Sequence, residues 1–167
     1  MTISKEQIIE YFKSGIKEKK NFKIGIEHEK FLFNSKNNKR IDYSKVKEMC
    51  AALLEFGWNP ILEKRNIIGL KKNGKNITLE PGNQIELSGE KLNHIHDACA
   101  ESQDYLFELR QVTKKLNISI VSAGFDPTSK LNQIPNNPEE RYKLMTEDMP
   151  LGGELSLDMM YRTCGTQ

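Results

Sequence analysis

The stretch from residue 61 to 88 puts the tightest limit on what this chain can fold into. Asn73-Gly74 stands between IIGLKK and KNITLE, and that dipeptide between two β-rich runs is the strongest short hairpin signal. Shortly after it, Pro81-Gly82-Asn83 separates ITLE from QIELS and predicts a second turn. Strands joined by such tight turns must run antiparallel, because parallel neighbours need a long crossover. Within the second hairpin, Ile77, Leu79, Ile85 and Leu87 share one parity and form the expected core face. Thr78, Glu80, Gln84, Glu86 and Ser88 take the other parity and line a polar face.

The rest of the chain alternates helices with strands, without a regular βαβ rhythm. Residues 4–20 place Ile8, Ile9, Phe12 and Ile16 at helical spacing behind Ser4 as N-cap. A strand is expected over 22–33 and a helix over 43–56, with Asp42 as cap, Val46, Met49, Cys50, Leu53 and Leu54 inward, and Gly57 as stop. A long helix over about 90–116 carries Leu92, Ile95, Cys99, Leu106, Leu109, Val112 and Leu116 on one stripe. ISIVSAGF at 118–125 reads as a buried strand and PEERYKLMTEDM as a short helix. The final LSLDMMYRTCGTQ reads as a strand, either packed last in the sheet or cut short. The sum is an α+β fold, an antiparallel β-sheet with flanking helices.

Chemistry is concentrated in glutamates on strands. Glu27 and Glu29 in GIEHEKF are two apart, so both carboxylates leave one face of a strand about 6–7 Å apart. Phe31 and Phe33 share their parity, which makes that face partly buried. Glu80 and Glu86 flank the Pro81-Gly82-Asn83 turn and project from a common side of their hairpin. Anions held together on a half-buried face repel unless a cation or a shared proton intervenes, and Mg²⁺ is the oxygen-seeking ion suited to that place. An exposed strand with ordinary surface glutamates is the competing reading. Neither GxxxxGK[ST] nor GxGxxG occurs, so a nucleotide here would be held through metal rather than by a glycine-rich cradle. In YRTCGTQ, Arg162 offers a planar fork for a carboxylate or phosphate, beside Thr163 and Cys164.

Other classes are disfavoured. Twenty-five basic residues against 23 acidic ones leave a formal charge of +2, too small a field to imply nucleic acid as partner. No apolar run approaches the roughly 18 residues that span a bilayer, and MTISKEQIIE has no apolar leader stretch, so a cytoplasmic protein is expected. Cys50, Cys99 and Cys164 are too few and too far apart for a disulfide framework or zinc site. His28 falls on the strand face opposite Glu27 and Glu29, and His94 and His96 cannot share a helix face.

Taken in order, GIEHEKFLF, the run from GWNPILEK to QIELSG, LNHIHDACAE, GFDP, IPNNPEERYKLM and MPLGGELSLDMMYRTCGTQ resemble the glutamate–cysteine ligases of the plant and proteobacterial type. The resemblance covers about residue 22 to the end, and EHEKF, LEPGxQxELS and LDMMxRTC carry most of it. It implies an ATP- and Mg²⁺-dependent enzyme that joins the γ-carboxyl of L-glutamate, through an acyl phosphate, to the amine of L-cysteine, the first step of glutathione synthesis. It implies a fold similar to the catalytic part of glutamine synthetase. It makes Glu27, Glu29, Glu80 and Glu86 candidates for the Mg²⁺/ATP site, and Arg162, Thr163 and Cys164 candidates for substrate binding. No protein nucleophile is implied. Where the family usually has RTCTVQ this chain has RTCGTQ, and Gly165 removes a β-branched residue from the strand. Family members are more than twice as long, so residues 1–167 are expected to be a single N-terminal portion of a ligase catalytic domain, truncated at the C-terminus.

Small molecules (glutamate, cysteine and ATP) are the expected partners, with no nucleic acid and no membrane. A related carboxylate–amine ligase with another amine acceptor is an alternative, since no residue here reads the thiol of the acceptor. A catalytically silent nucleotide- or glutamate-binding module is the other.

Overall fold

The computed structural model describes residues 3–167. It contains an antiparallel sheet of six strands in the order β2-β3-β4-β5-β1-β6. These are β1 (Glu27–Asn34), β2 (Asn59–Glu63), β3 (Asn66–Lys72), β4 (Lys75–Leu79), β5 (Ile85–Ser88) and β6 (Ile118–Val121). The helices are α1 (Lys5–Ser14), α2 (Tyr43–Leu53), α3 (Ile95–Leu116), α4 (Glu140–Asp148) and α5 (Ser156–Arg162). The expected α+β class, with an antiparallel sheet and flanking helices, is the one found. No described helix is long and apolar enough to cross a membrane.

Both turns form as their residues require. Asn73 and Gly74 have φ of 47° and 81°, the pair of positive values a type I′ hairpin needs. A Cβ added to Gly74 would also meet the Glu90 carboxylate. Gly74→Ala should therefore lower the unfolding free energy by about 1–2 kcal/mol, the cost of a left-handed L-residue. A urea midpoint equal to that of the wild type would contradict this reading of the turn. At the second turn Asn83 (φ 61°) donates its N–H to the Glu80 carbonyl, and Glu80 N–H bonds the Gln84 carbonyl.

Alternation on β4 and β5 divides the sheet into two faces. Ile77, Leu79, Ile85 and Leu87 are fully buried, together with Leu32 and Leu70, against Val46, Met49 and Leu53 of α2 and Tyr105, Leu109 and Val112 of α3. On β4 and β5 the opposite face stays polar and, with Glu27 and Glu29 of β1, carries the glutamate candidates.

Several boundaries differ from expectation, each for a packing reason. Residues 22–26 precede β1: Ile24 bridges Leu92, and Ile26 accepts from Gly89 N–H. That isolated bridge holds Leu92 beside Ile24, and α3 starts only at Ile95, with His94 as its cap. Its buried stripe runs Ala98, Glu101, Tyr105, Leu109, Val112, whereas Ile95 and Cys99 face solvent. Helix α2 stops at Leu53, which leaves Leu54 on the rim before Gly57 turns the chain with φ 84°. Ser4 caps α1 as expected, with a reciprocal bond to Gln7. The helix ends at Gly15, however, and Ile8, Ile9 and Phe12 remain exposed. Strand β6 is shorter than the expected 118–125 run.

The largest difference lies at residues 155–167. Leu157, Met160 and Tyr161 sit at helical spacing and pack with Ile134 and Tyr142, so α5 replaces the first part of the expected strand. Only residues 163–167 are extended. They take the edge of β1 beyond the end of β6: Glu27 N–H bonds Gln167 O, and Glu29 N–H bonds Gly165 O.

Candidate functional site

The register of the sheet decides which glutamates meet. Glu29 on β1 stands directly opposite Glu86 on β5, and Glu86 stands opposite Thr78 on β4. The Glu29 N–H points away from β5, toward Gly165, so Glu29–Glu86 is the narrow, non-hydrogen-bonded kind of pair. In that kind of pair Cα atoms are about 4.5 Å apart and side chains are closest. Glu80 follows Thr78 by two residues on the same face and lies diagonal to Glu86 across the turn. Glu27 is in the next row, opposite Ser88, and is exposed. The two pairs read along the sequence thus become a group of three, Glu29, Glu86 and Glu80, with Glu27 at its border.

Each of the three spends one carboxylate oxygen on a local hydrogen bond. Glu29 accepts from Gly165 N–H at 2.7 Å, Glu86 from the Ser88 hydroxyl at 2.7 Å, and Glu80 from the Tyr142 hydroxyl at 3.3 Å. Burial raises the Glu80 carboxyl most, and Glu86 and Glu29 add repulsion, so it is pushed up to about 7. Glu29 is raised for the same reasons, burial first and then Glu86 and Glu27, against the opposing bond from Gly165.

A carboxyl whose pKa is higher folded than unfolded binds its proton more tightly in the native state. Stability is then lost as pH climbs from the ordinary 4.5 through about 7. His28, held low by burial, acts in the opposite sense near its ordinary 6.5, so the comparison must be made against Glu80→Gln. In the absence of divalent cations, wild type should lose stability relative to that variant between pH 5 and 8.5. Each tenfold gain in proton affinity on folding is worth about 1.36 kcal/mol, which makes the relative loss on the order of 3 kcal/mol. Urea unfolding at the two pH values measures it, and a pH-independent difference would contradict the repulsive group.

Among the described residues no group of three or more His, Cys, Asp or Glu side chains is arranged to hold a metal ion. The donors nevertheless fit a hard cation in kind: carboxylates only, two of them raised by burial and mutual repulsion. The buried Thr78 hydroxyl, in the same row as Glu29 and Glu86, has no hydrogen-bond partner. These are the features of a surface that a cation would relax.

The RTC segment is brought to one end of this face. The Cys164 thiol is buried against Phe31 and Phe33. Burial and the nearby Glu29 push it up to about 11, so it is a neutral thiol and not a nucleophile. Thr163 is exposed, its hydroxyl donates to the Met159 carbonyl, and its own carbonyl accepts from Gln84. Arg162 is engaged outside the glutamate group. It donates to Asp158 at 2.7 Å, its guanidinium carbon is 4.3 Å from the Phe125 ring centre, and its buried Nε has no partner.

Two groups escape a reading by motif. One is the fully buried pair Arg40–Asp126 (2.9 Å) behind Phe31 and Phe33. The other is Tyr142, whose hydroxyl reaches Leu79 O and Glu80, with Arg141 stacked on its ring. Asp126-Pro127 in GFDP and the RYKLM block were visible, but nothing local in the sequence assigns them to this face.

Comparison with known proteins identifies the family. The model for glutamate-cysteine ligase family 2 matches residues 23–167. Glutamate–cysteine ligase A, chloroplastic, of Oryza sativa subsp. japonica is 42% identical over 99% of this chain and 34% of the rice protein. The chloroplastic glutamate–cysteine ligases of Nicotiana tabacum and Arabidopsis thaliana are 40% and 39% identical over 99% of this chain and 32% of their own. The chain spans about a third of the length of the curated relatives it matches. The cytoplasmic location expected from the sequence is corrected here, since these relatives are named chloroplastic. Plastid leaders are amphipathic rather than apolar, so the lack of an apolar leader never separated the two compartments. By the extent of the family match and the identity across its full length, this chain belongs to glutamate-cysteine ligase family 2.

Proposed function

We propose that this chain is the N-terminal portion of a ligase catalytic domain and supplies one wall of its active site, for ATP- and Mg²⁺-dependent joining of L-glutamate to L-cysteine. The observation that carries the reading is the row Glu29–Glu86–Thr78 with Glu80 beside it, on the same face as the Cys164–Gly165 segment. In this reading a γ-carboxylate oxygen of glutamate takes the γ-phosphoryl group of ATP and ADP departs. The cysteine amine then bonds to the acyl carbon, phosphate leaves, and the nitrogen gives up a proton to yield the amide of γ-glutamylcysteine. This would be the first step of glutathione synthesis.

Glu29, Glu86 and Glu80 would hold the Mg²⁺, with Glu27 at the rim. Bound there, the ion would supply positive charge against the triphosphate and the transferring phosphoryl group. The chain's own residues bind and orient. Glu29, fixed by Gly165 N–H, keeps its carboxylate on the face and ties the substrate segment to it. Phe31, Phe33 and Cys164 make a dry end that strengthens nearby electrostatic interactions. Arg162, Thr163 and Cys164 are the proposed substrate contacts, Arg162 sharing its fork with Asp158.

Release of ADP by a full-length ligase that carries residues 1–167 tests this directly. It should require Mg²⁺, glutamate and cysteine together, and replacing cysteine with other amines separates the alternative carboxylate–amine ligases. A second reading, a module that binds nucleotide or glutamate without turnover, is favoured by the lack of a ready-made metal cluster among the described residues. Binding of Mg-ATP by that full-length protein with no ADP release under any combination would establish it instead.

A further inference from the structure

We propose that Gln84 is a positioning residue whose amide locks the 161–165 segment onto the glutamate face; this deepens, and rests on, the ligase reading above. Gln84 sits between Glu80 and Glu86, at the entry to β5, and is 1% exposed. Its Oε1 accepts from Arg40 Nη2 at 3.2 Å. Its Nε2 donates to the carbonyls of Tyr161 at 3.2 Å and Thr163 at 3.0 Å. The side chain therefore joins the hairpin that carries the carboxylates to the segment that carries Arg162, Thr163 and Cys164.

Only a neutral amide serves all three partners at once. A carboxylate accepts from Arg40 but offers nothing to two carbonyls, an ammonium does the reverse, and a thioether does neither. Arg40 fixes the orientation of the amide. It is held in turn by Asp126 at 2.9 Å and by the Gly82 carbonyl, so its Nη2 faces the acceptor end of Gln84. The backbone leaves room for this arrangement, since a Cβ on Gly82 would come within 2.8 Å of Gln84 Oε1. The segment is also tied from two other sides. Asp126 N–H bonds Arg162 O and Cys164 N–H bonds Gly124 O, while Gly165 N–H reaches the Glu29 carboxylate. Of these, Gln84 alone connects the segment to the β4–β5 hairpin, which holds Glu80 beside its turn and Glu86 on β5.

Residue-resolved hydrogen exchange on the wild-type chain and on Gln84→Met tests the lock without any need for turnover. The amides of Cys164 and Gly165 should exchange at least ten-fold faster in the variant. Those of Ile77, Leu79 and Leu87 should stay within about two-fold. Uniform acceleration across the sheet, or no change at Cys164 and Gly165, overturns the proposal. Should Gln84→Met not fold, Gln84→Glu retains the bond to Arg40 and is read the same way, and its extra exchange should subside at low pH, where a protonated carboxyl can donate again. Calorimetry on the full-length ligase, with glutamate and with Mg-ATP, supplies the functional readout. Glutamate affinity should fall at least ten-fold and Mg-ATP affinity less than two-fold, a split that general loosening of the fold would not give. A full-length wild type that shows the exchange pattern but binds no glutamate would remove the ligase reading and leave the lock in place. Normal exchange in the variants would remove the lock and leave the ligase reading untouched.

Discussion

Arg40→Met should cost the fold about 3–5 kcal/mol, the expected penalty for stranding one member of a buried ion pair. That is a large share of the roughly 5–15 kcal/mol that holds a domain together. Both side chains are sealed from solvent, and the pair is 2.9 Å apart. The guanidinium also donates to Gly82 O and Gln84, and it lies 4.7 Å from the Phe31 ring centre. Asp126 retains bonds from the N–H groups of Thr128 and Ser129, which already favour its ionised form. The damage should therefore come mostly from the unpaired charge. Arg40→Met combined with Asp126→Asn should recover about 1–2 kcal/mol relative to Arg40→Met alone, because the buried anion is gone. Chemical denaturation of the two single variants and the double variant measures the coupling. Simple additivity would mean that the pair contributes packing and not charge.

The second large effect concerns activity. In the full-length ligase, Glu29→Gln and Glu86→Gln should each reduce ADP release by two or more orders of magnitude if the carboxylates hold the cation, comparable to about 3 kcal/mol or more of transition-state stabilisation. Neither change should weaken the metal-free fold. Each removes one of two carboxylates that face each other directly in register, so thermal unfolding without divalent ions should be unchanged or shifted upward. Loss of activity together with an unaltered or raised melting temperature separates a ligand role from a structural one. Glu27→Gln should do less, since Glu27 is exposed and opposite Ser88.

What could be read along the chain was what local physics determines. Asn73-Gly74 and Pro81-Gly82-Asn83 fix their turns through the backbone of a few residues, and strict alternation then assigns the two faces of β4 and β5. The site needed register as well. Glu29 and Glu86 are far apart in sequence, and no pattern says that they are opposite rather than one step apart. Arg40 and Asp126 are 86 residues apart, and Gln84 and Thr163 are 79 apart, so these bonds depend on how the loops return to the sheet. The terminal segment misled for a different reason. Leu155, Leu157, Met159 and Tyr161 alternate like a strand, while Leu157, Met160 and Tyr161 repeat like a helix. Packing decided for the helix: Met160 and Tyr161 are buried beside Ile134 and Tyr142, and Leu155 and Met159 point to solvent. On α3 the apolar period was real, but its first turn was lost when Leu92 paired with Ile24.

The ligase reading rests on Glu29, Glu86 and Glu80 together holding a divalent ion. Titration with Mn²⁺ as a paramagnetic stand-in for Mg²⁺, followed by electron paramagnetic resonance at pH 8 with and without ATP, tests it most directly. Saturable binding is expected, displaced by excess Mg²⁺, tightened by ATP and weakened at least ten-fold in both Glu29→Gln and Glu86→Gln. Binding of equal strength in the wild type and both variants would place the ion elsewhere and contradict the account.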